Sequence, residues 1–425
     1  MKNNGLIRRM VQGIEDACYI WLQEIKMILH DEGVLMFVLL VPLGYPLLYS
    51  WIYNNEVVRE VPVAVVDESR SSMSREFIQH CDASPDVRIK YLASNMEEAK
   101  QLVANQEVEG IYRIPSDFNT RLNRMQQATI GVYCDMSVML QYKAIFQTAQ
   151  AVSQEMGSEI QVKLSGNYTD RENQISTKPL DFDEVPIFNP SGGYGSFILP
   201  AVLILIIQQT LLLGIGMAAG TARENNRYKD LVPISRHYQG IFRIVTGKSM
   251  CYFMIYAVMA AYLCIAVPRI FHFVMLGEPT TLIAILFPYV LACIFFGLTL
   301  SCMIRYRENV MLLVVFTSVP FLFLSGVSWP QSNISGLWQA VGWLFPSTFG
   351  IRAYVRVQSM GASLQDVIVE YKALWIQVLI YFFLACGVYR YQIIRSRDHA
   401  IQRLNYMKRK REVRRRLKER KLRKH

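Results

Sequence analysis

The stretch closest to nucleotide chemistry is Thr246 to Ser249, TGKS, which matches the end of a phosphate-binding loop. Such a loop needs a glycine five positions before Gly247, where Phe242 stands, and it must follow a strand. Here TGKS instead opens an apolar run of membrane-spanning length, so no cofactor is expected on this chain. Cys18, Cys81, Cys134, Cys251, Cys264, Cys293, Cys302 and Cys386 contain no CxxC pair. The last five lie in apolar runs, where a thiol is a small hydrophobe. Cys81 and Cys134 are the two that can share one extramembranous domain, and a disulfide between them stays open. His80 has no partner suited to catalysis. Neither a catalytic residue nor a metal site is expected.

The residues with work to do are charges on a loop. Gly220 to Val245 lies between the apolar runs Phe197–Ala219 and Thr246–Val267, each long enough to cross a hydrocarbon core of roughly 30 Å as a helix. It carries Arg223, Arg227, Lys229, Arg236 and Arg243 against Glu224 and Asp230, an excess that places a short loop in the cytoplasm. Thr221 to Leu231 reads as a short polar helix stopped by Pro233. A charged, exposed helix between two spans is a lever for a soluble partner.

The elements around this loop follow from composition. Of 425 residues 52% are hydrophobic, gathered into about six long runs, which makes the chain a polytopic α-helical membrane protein. The net charge of +11 describes one segment, because the tail 394–425 alone carries +12. That basic helix, starting just inside the last span, suits anionic lipid headgroups, with docking to a protein or nucleic acid the lesser readings. Residues 1–32 hold an amphipathic helix, with Cys18, Trp21, Leu22, Ile25, Ile28 and Leu29 on one side, that either lies flat at the inner interface or merely starts span 1. No cleavable signal peptide is expected, since the first apolar run begins near Val34.

The first span covers 33–53, with Pro42 and Pro46 as kink points and Tyr49, Trp51 and Tyr53 at the outer interface. Residues 54–195 read as an extracytoplasmic α/β domain. Strands are expected at Val61–Val66, Val87–Leu92, Val108–Ile114 and Thr129–Cys134, alternating with helices at Ser74–Cys81, from a Ser94–Glu97 capping box to Asn105, and at Ser116–Met125. A long helix, Ser137–Leu164, follows. The remaining five spans fill 196–393: Phe197–Ala219, Thr246–Val267, Thr281–Met303, Val310–Trp329 and Ala373–Tyr389. Between the last two, 325–361 contains apolar pieces too short to span, bracketed by Pro330 and Pro346, and reads as short re-entrant or interfacial helices at the outer mouth. The positive-inside rule puts both termini, the lever loop and the Arg305 turn inside.

At this point the sequence resembles a permease subunit of the type-2 ABC transporter family, in the drug- or lipid-exporter-like branch with a large extracytoplasmic domain between its first and second spans. VPVAVVDESRSSMSREF from Val61, VEGIYRIPSDFNTRL from Val108, the lever loop through GKSMCYF, and LSGVSWP with LFPSTFGIRAYVRVQSMGAS carry that likeness. The lever departs from the common ERExGTxExLxxxP form, reading GTARENNRYKDLVP with fewer acids.

The resemblance implies a non-catalytic subunit driven by a separate cytoplasmic ATPase that carries ATP and Mg, with the first helix and the lever against it. Arg223, Glu224, Asn225, Lys229 and Asp230 would then be the ATPase-coupling residues. It also implies a second permease copy or paralogue, two ATPases per dimer, and a bacterial inner-membrane exporter. A periplasmic adaptor would suit the outer domain; nucleic acid is not expected. Ser325, Gly326, Pro330 and Pro346 are candidates for an outer gate or plain packing, as are Gly214, Gly216 and Gly220 on span 2. Gln208 and Gln209 are polar at mid-membrane depth, either along the pathway or bonded between helices. An aromatic, nearly charge-free interior favours amphipathic or lipophilic cargo. An ion-coupled carrier would need acids within its spans, and a membrane-anchored sensor or assembly protein would need an effector domain.

Overall fold

The computed structural model of the chain describes residues 3–165, 169–178, 185, 187–189, 192–224, 240–301, 304 and 306–422. They form two compact units, an inserted unit of Asn55–Gly193 and a membrane unit of Met1–Asn54 with Tyr194–His425.

The inserted unit is built on four strands, β1 (Val61–Asp67), β2 (Val87–Leu92), β3 (Gly110–Ile114) and β4 (Gly131–Cys134), in the order β2-β1-β3-β4. The first three are parallel and β4 runs antiparallel to β3. Central β1 is apolar from Val61 to Val66 because helices cover both its faces. Val61, Val63 and Val65 meet Phe77, Tyr112 and Ile145 on one side, and Ala64 and Val66 meet Ala99 and Ile111 on the other. Asp67 ends the strand by accepting from the amides of Ser69 and Arg70 and from the Ser74 hydroxyl at 2.7 Å. That arrangement sets the Ser71 cap of α2 (Ser72–Ala83).

The cap of α3 (Met96–Ala104) falls one residue later than the Ser94–Glu97 pair suggests. Asn95 accepts from the Glu98 amide at 2.8 Å, and Glu98 accepts from the Ser94 amide at 2.7 Å. Both spacings satisfy the capping rule, and Asn caps as well as Ser does. The unit is completed by α4 (Phe118–Asn123), α5 (Met139–Ser165) and α6 (Asp170–Thr177). Cys81 and Cys134 are free thiols.

Among the described residues the membrane unit holds a 28-residue helix, α1 (Asn3–His30), and six helices long and apolar enough to cross a membrane. These are span 1 (Glu32–Ile52), span 2 (Tyr194–Thr221), span 3 (Ile241–Ile270), span 4 (Pro279–Leu300), span 5 (Arg307–Leu324) and span 6 (Ile368–Ile394). The chain is thus a polytopic helical membrane protein with an inserted α/β domain. Span 2 is the most enclosed, packed on spans 4 and 5. Spans 1 and 3 each pass through a π-helical turn, Met36–Leu40 and Tyr262–Ala266, just before Pro42 and Pro268. Proline frees the carbonyl four residues back. In span 3 that carbonyl, of Cys264, accepts from the Tyr354 hydroxyl at 3.1 Å.

Span 5 stops at Leu324, short of the Trp329 that hydropathy suggests, because Gly326 turns with φ 89, a conformation open to glycine. Two short helices follow, α7 (Gly336–Gly342) and α8 (Pro346–Met360), the second ended by Gly361 at φ 65. Span 6 continues beyond Ile394 as one helix to Leu422.

Candidate functional site

Three carboxylates on one helix tie together the ends of several spans. Asp16, Glu24 and Asp31 are spaced by about two helical turns each, so they project to one side of α1 and its end. Asp16 pairs with Arg243 at 2.5 Å, and Glu24 pairs with Lys248 at 2.6 Å while accepting from the Tyr252 hydroxyl at 3.1 Å. Arg243, Lys248 and Tyr252 all belong to the first turns of span 3. Asp31 caps span 1 through the amides of Gly33 and Val34, pairs with Arg307 at 2.9 Å, and accepts from Thr221 at 3.2 Å. Arg307 opens span 5 and Thr221 closes span 2. One amphipathic helix therefore holds the ends of spans 1, 2, 3 and 5.

Glycines make these approaches possible. A Cβ on Gly247 would stand 2.8 Å from the Ala17 carbonyl, so this glycine lets span 3 lie directly on α1. A Cβ on Gly33 would occupy the Arg307 guanidinium, and one on Gly220 would meet the Arg307 backbone at 2.9 Å. Gly214 and Gly216 likewise lie against Val38 and Val310. These are packing roles.

Glu24 and Lys248 are over nine-tenths buried. Such a pair contributes little net stability because desolvation offsets attraction, yet removing one partner costs about 3–5 kcal/mol. Beside it Ser301 and Tyr389 bound a space of about 10 Å³, room for about one water. The Lys248 of TGKS is thus engaged by a carboxylate.

The anticipated lever residues lie at the edge of what the structure describes. Arg223 and Glu224 end the helix of span 2, with their side chains outside the described residues, and Asn225, Lys229 and Asp230 lie wholly outside them. The Arg305 turn lies outside as well.

At mid-span, Gln208 is 1% exposed, and its Oε1 accepts from the Ser347 amide at 2.7 Å. Ser347 is in the first turn of α8, which has no side-chain cap of its own. Gln208 supplies one from another helix, satisfying an amide that burial would leave orphaned at about 1–3 kcal/mol. Gln209 is also buried, with no partner for either amide atom among the described residues. Pro346 is buried as the first residue of α8, where its missing N–H is no loss. Ser325 is fully buried; its carbonyl accepts from Arg352 at 3.0 Å, and its hydroxyl closes back on Leu322. Gly326 forms the turn and Pro330 is exposed beyond it. Span 6 holds the link between α7 and α8, Gln377 donating to the Trp343 carbonyl at 2.8 Å and Tyr381 to that of Leu344.

Sequence reading missed the acids of α1 as ligands for the spans. The available signal was Glu24, which sits four residues from both Ile20 and Ile28, in the middle of the stripe that must be buried. A charge there demands a partner, and Lys248, near the start of span 3, is the base that meets it.

Residues 33–386 match the family model described as ABC-2 family transporter protein. The chain is 19% identical over 328 residues to the probable multidrug ABC transporter permease YbhR of Escherichia coli (strain K12), spanning 76% of this chain and 84% of that protein. The same figures hold for YbhR of Escherichia coli O157:H7.

Proposed function

Because the chain belongs to the ABC-2 family of transporter proteins, whose model it matches over residues 33–386, we propose that it is the membrane-spanning permease subunit of an ATP-driven exporter. Two copies, or this chain and a paralogue, form the path, and a separate cytoplasmic ATPase supplies the work. The chain itself is non-catalytic, and ATP and Mg reside on that partner. The cargo is an amphipathic or lipophilic compound, a reading supported by the multidrug designation of its relative.

The observation that carries this reading is the grip of α1 on four spans. A pull on α1, or on the lever that follows Thr221, reaches spans 3 and 5 through ion pairs and spans 1 and 2 through hydrogen bonds to Asp31, instead of deforming a loop. Basic residues at this end, with the basic tail, support a cytoplasmic orientation for both termini in a bacterial inner membrane. Span 5 leaves Leu312, Val315, Phe316, Val319 and Phe323 uncovered along one face, which suits a second copy across a path. The inserted unit is then extracytoplasmic and suited to an adaptor, and the tail meets anionic lipid.

An ion-coupled carrier is less well supported, because the acids within the six spans, Glu32, Glu308 and Glu370, all lie within three residues of a span start. The test is to co-purify the chain with its ATPase and screen lipophilic compounds for stimulated hydrolysis. Stable association and stimulation by cargo are expected. Absence of any ATPase on the purified chain, or transport that follows an ion gradient without ATP, overturns the reading.

A further inference from the structure

Span 2 carries two contacts of different kinds, separated along one helix. At its end Thr221 donates to Asp31, in the cluster that α1 builds. Thirteen residues earlier, about 20 Å away on a helix, Gln208 holds the first turn of α8. The stretch between them is almost wholly buried and contains no proline, so it moves as a rod. Span 4 strengthens the far contact. The Tyr289 hydroxyl donates to the Ile204 carbonyl of span 2 at 2.7 Å, while its ring lies where a Cβ on Gly350 of α8 would sit, at 2.4 Å.

On both sides of the Gln208–Ser347 contact polar atoms are left over. Gln208 Nε2, both amide atoms of Gln209 and the hydroxyls of Ser347 and Thr348 are buried without partners among the described residues. A purely structural cap would be cheaper with these positions apolar. Surplus donors and acceptors on both helices let α8 shift along span 2 and pair again. We infer that Gln208 is a positioning residue that transmits the ATPase stroke from span 2 to α8 and so to the α7–α8 hairpin. This rests on the reading that ATP drives the chain.

The test uses the full permease–ATPase complex in liposomes with a lipophilic cationic dye as cargo. An environment-sensitive fluorophore is placed at Gly336→Cys, where a side chain meets nothing within 4 Å, in a background with Cys18→Ser, Cys134→Ala and Cys302→Ala. In the parent complex, trapping the ATPase with vanadate shifts the fluorophore's emission. In Gln208→Met, hydrolysis persists, the shift disappears and dye transport falls about tenfold, within the range of a lost coupling free energy. Gln208→Glu keeps an acceptor at the helix start and retains both shift and transport. Gln208→Asn, which keeps an amide in the bundle but draws it back from Ser347, repeats the Gln208→Met split if that variant fails to assemble. A persistent shift and full transport in Gln208→Met or Gln208→Asn overturns the inference, as does equal loss in Gln208→Glu. A parent complex with no response to nucleotide overturns the functional reading on which it stands.

Discussion

Lys248 Nζ lies 2.6 Å from Glu24 Oε2, joining span 3 to a helix more than two hundred residues earlier in the chain, with both side chains withdrawn from solvent. Removing one charge leaves the other buried and unpaired. Lys248→Met alone is expected to destabilise the membrane unit by about 3–5 kcal/mol, whereas Glu24→Leu with Lys248→Met recovers most of that loss. Apparent melting midpoints in detergent check this. Equal melting of the single and double variants would show that the pair is not what holds the two helices.

The Asp31–Arg307 contact joins α1's end to span 5 and is partly exposed. Arg307→Asp is expected to lower cargo-stimulated hydrolysis, and Asp31→Arg with Arg307→Asp to restore part of it. The exchange cannot restore the amide cap that Asp31 gives span 1, worth about 1 kcal/mol, so stability recovers less than coupling does. Measuring hydrolysis and melting on the same preparations separates the two.

Gly247→Ala places a methyl group against the Ala17 carbonyl and Ile20, at 2.8 and 2.9 Å. Backbone cannot yield there, so span 3 must move away from α1 and stretch both ion pairs, at a cost of about 1–3 kcal/mol. Limited proteolysis should release α1 from this variant sooner than from the parent protein.

In the inserted unit, burial pushes the Cys81 thiol up from 9.0 to about 12 and that of Cys134 to about 11. At pH 8 both are thiols when folded and slow towards maleimide; unfolding exposes them and speeds labelling. The folded state holds these protons more tightly than the unfolded one. Their contribution to stability is therefore whole below pH 9 and is lost as pH rises towards 12. Cys81→Ala should flatten that decline, as followed by intrinsic fluorescence in urea.

The six spans and the strands of the inserted unit were legible because both rest on runs of one residue class, long apolar stretches for the spans and short β-branched ones for β1 and its neighbours, whereas the order β2-β1-β3-β4 came from the fold. The ends were not. Span 5 continues by hydropathy to Trp329, but Ser325 and the positive φ of Gly326 stop it at Leu324. The cap of α3 moved by one residue because Ser94 and Asn95 each have a glutamate three positions on. The cluster on α1 escaped for a different reason. An acid on an amphipathic helix reads as its wet face, and only the fold brings Lys248 and Arg307 from distant sequence to meet Glu24 and Asp31. Gln208 was recognisable as costly at its depth, but its partner was a backbone amide, which has no sequence signature.

Coupling to a cytoplasmic ATPase requires α1 to face the cytoplasm, where that partner can grip it. Cys18 is an exposed native thiol on that helix, while Cys81, Cys251, Cys264, Cys293 and Cys386 are buried. With Cys134 and Cys302 replaced by alanine, an impermeant maleimide should label Cys18 in inside-out vesicles, more slowly once the ATPase is bound, and leave it untouched in sealed cells. Labelling of Cys18 from outside sealed cells would contradict the account.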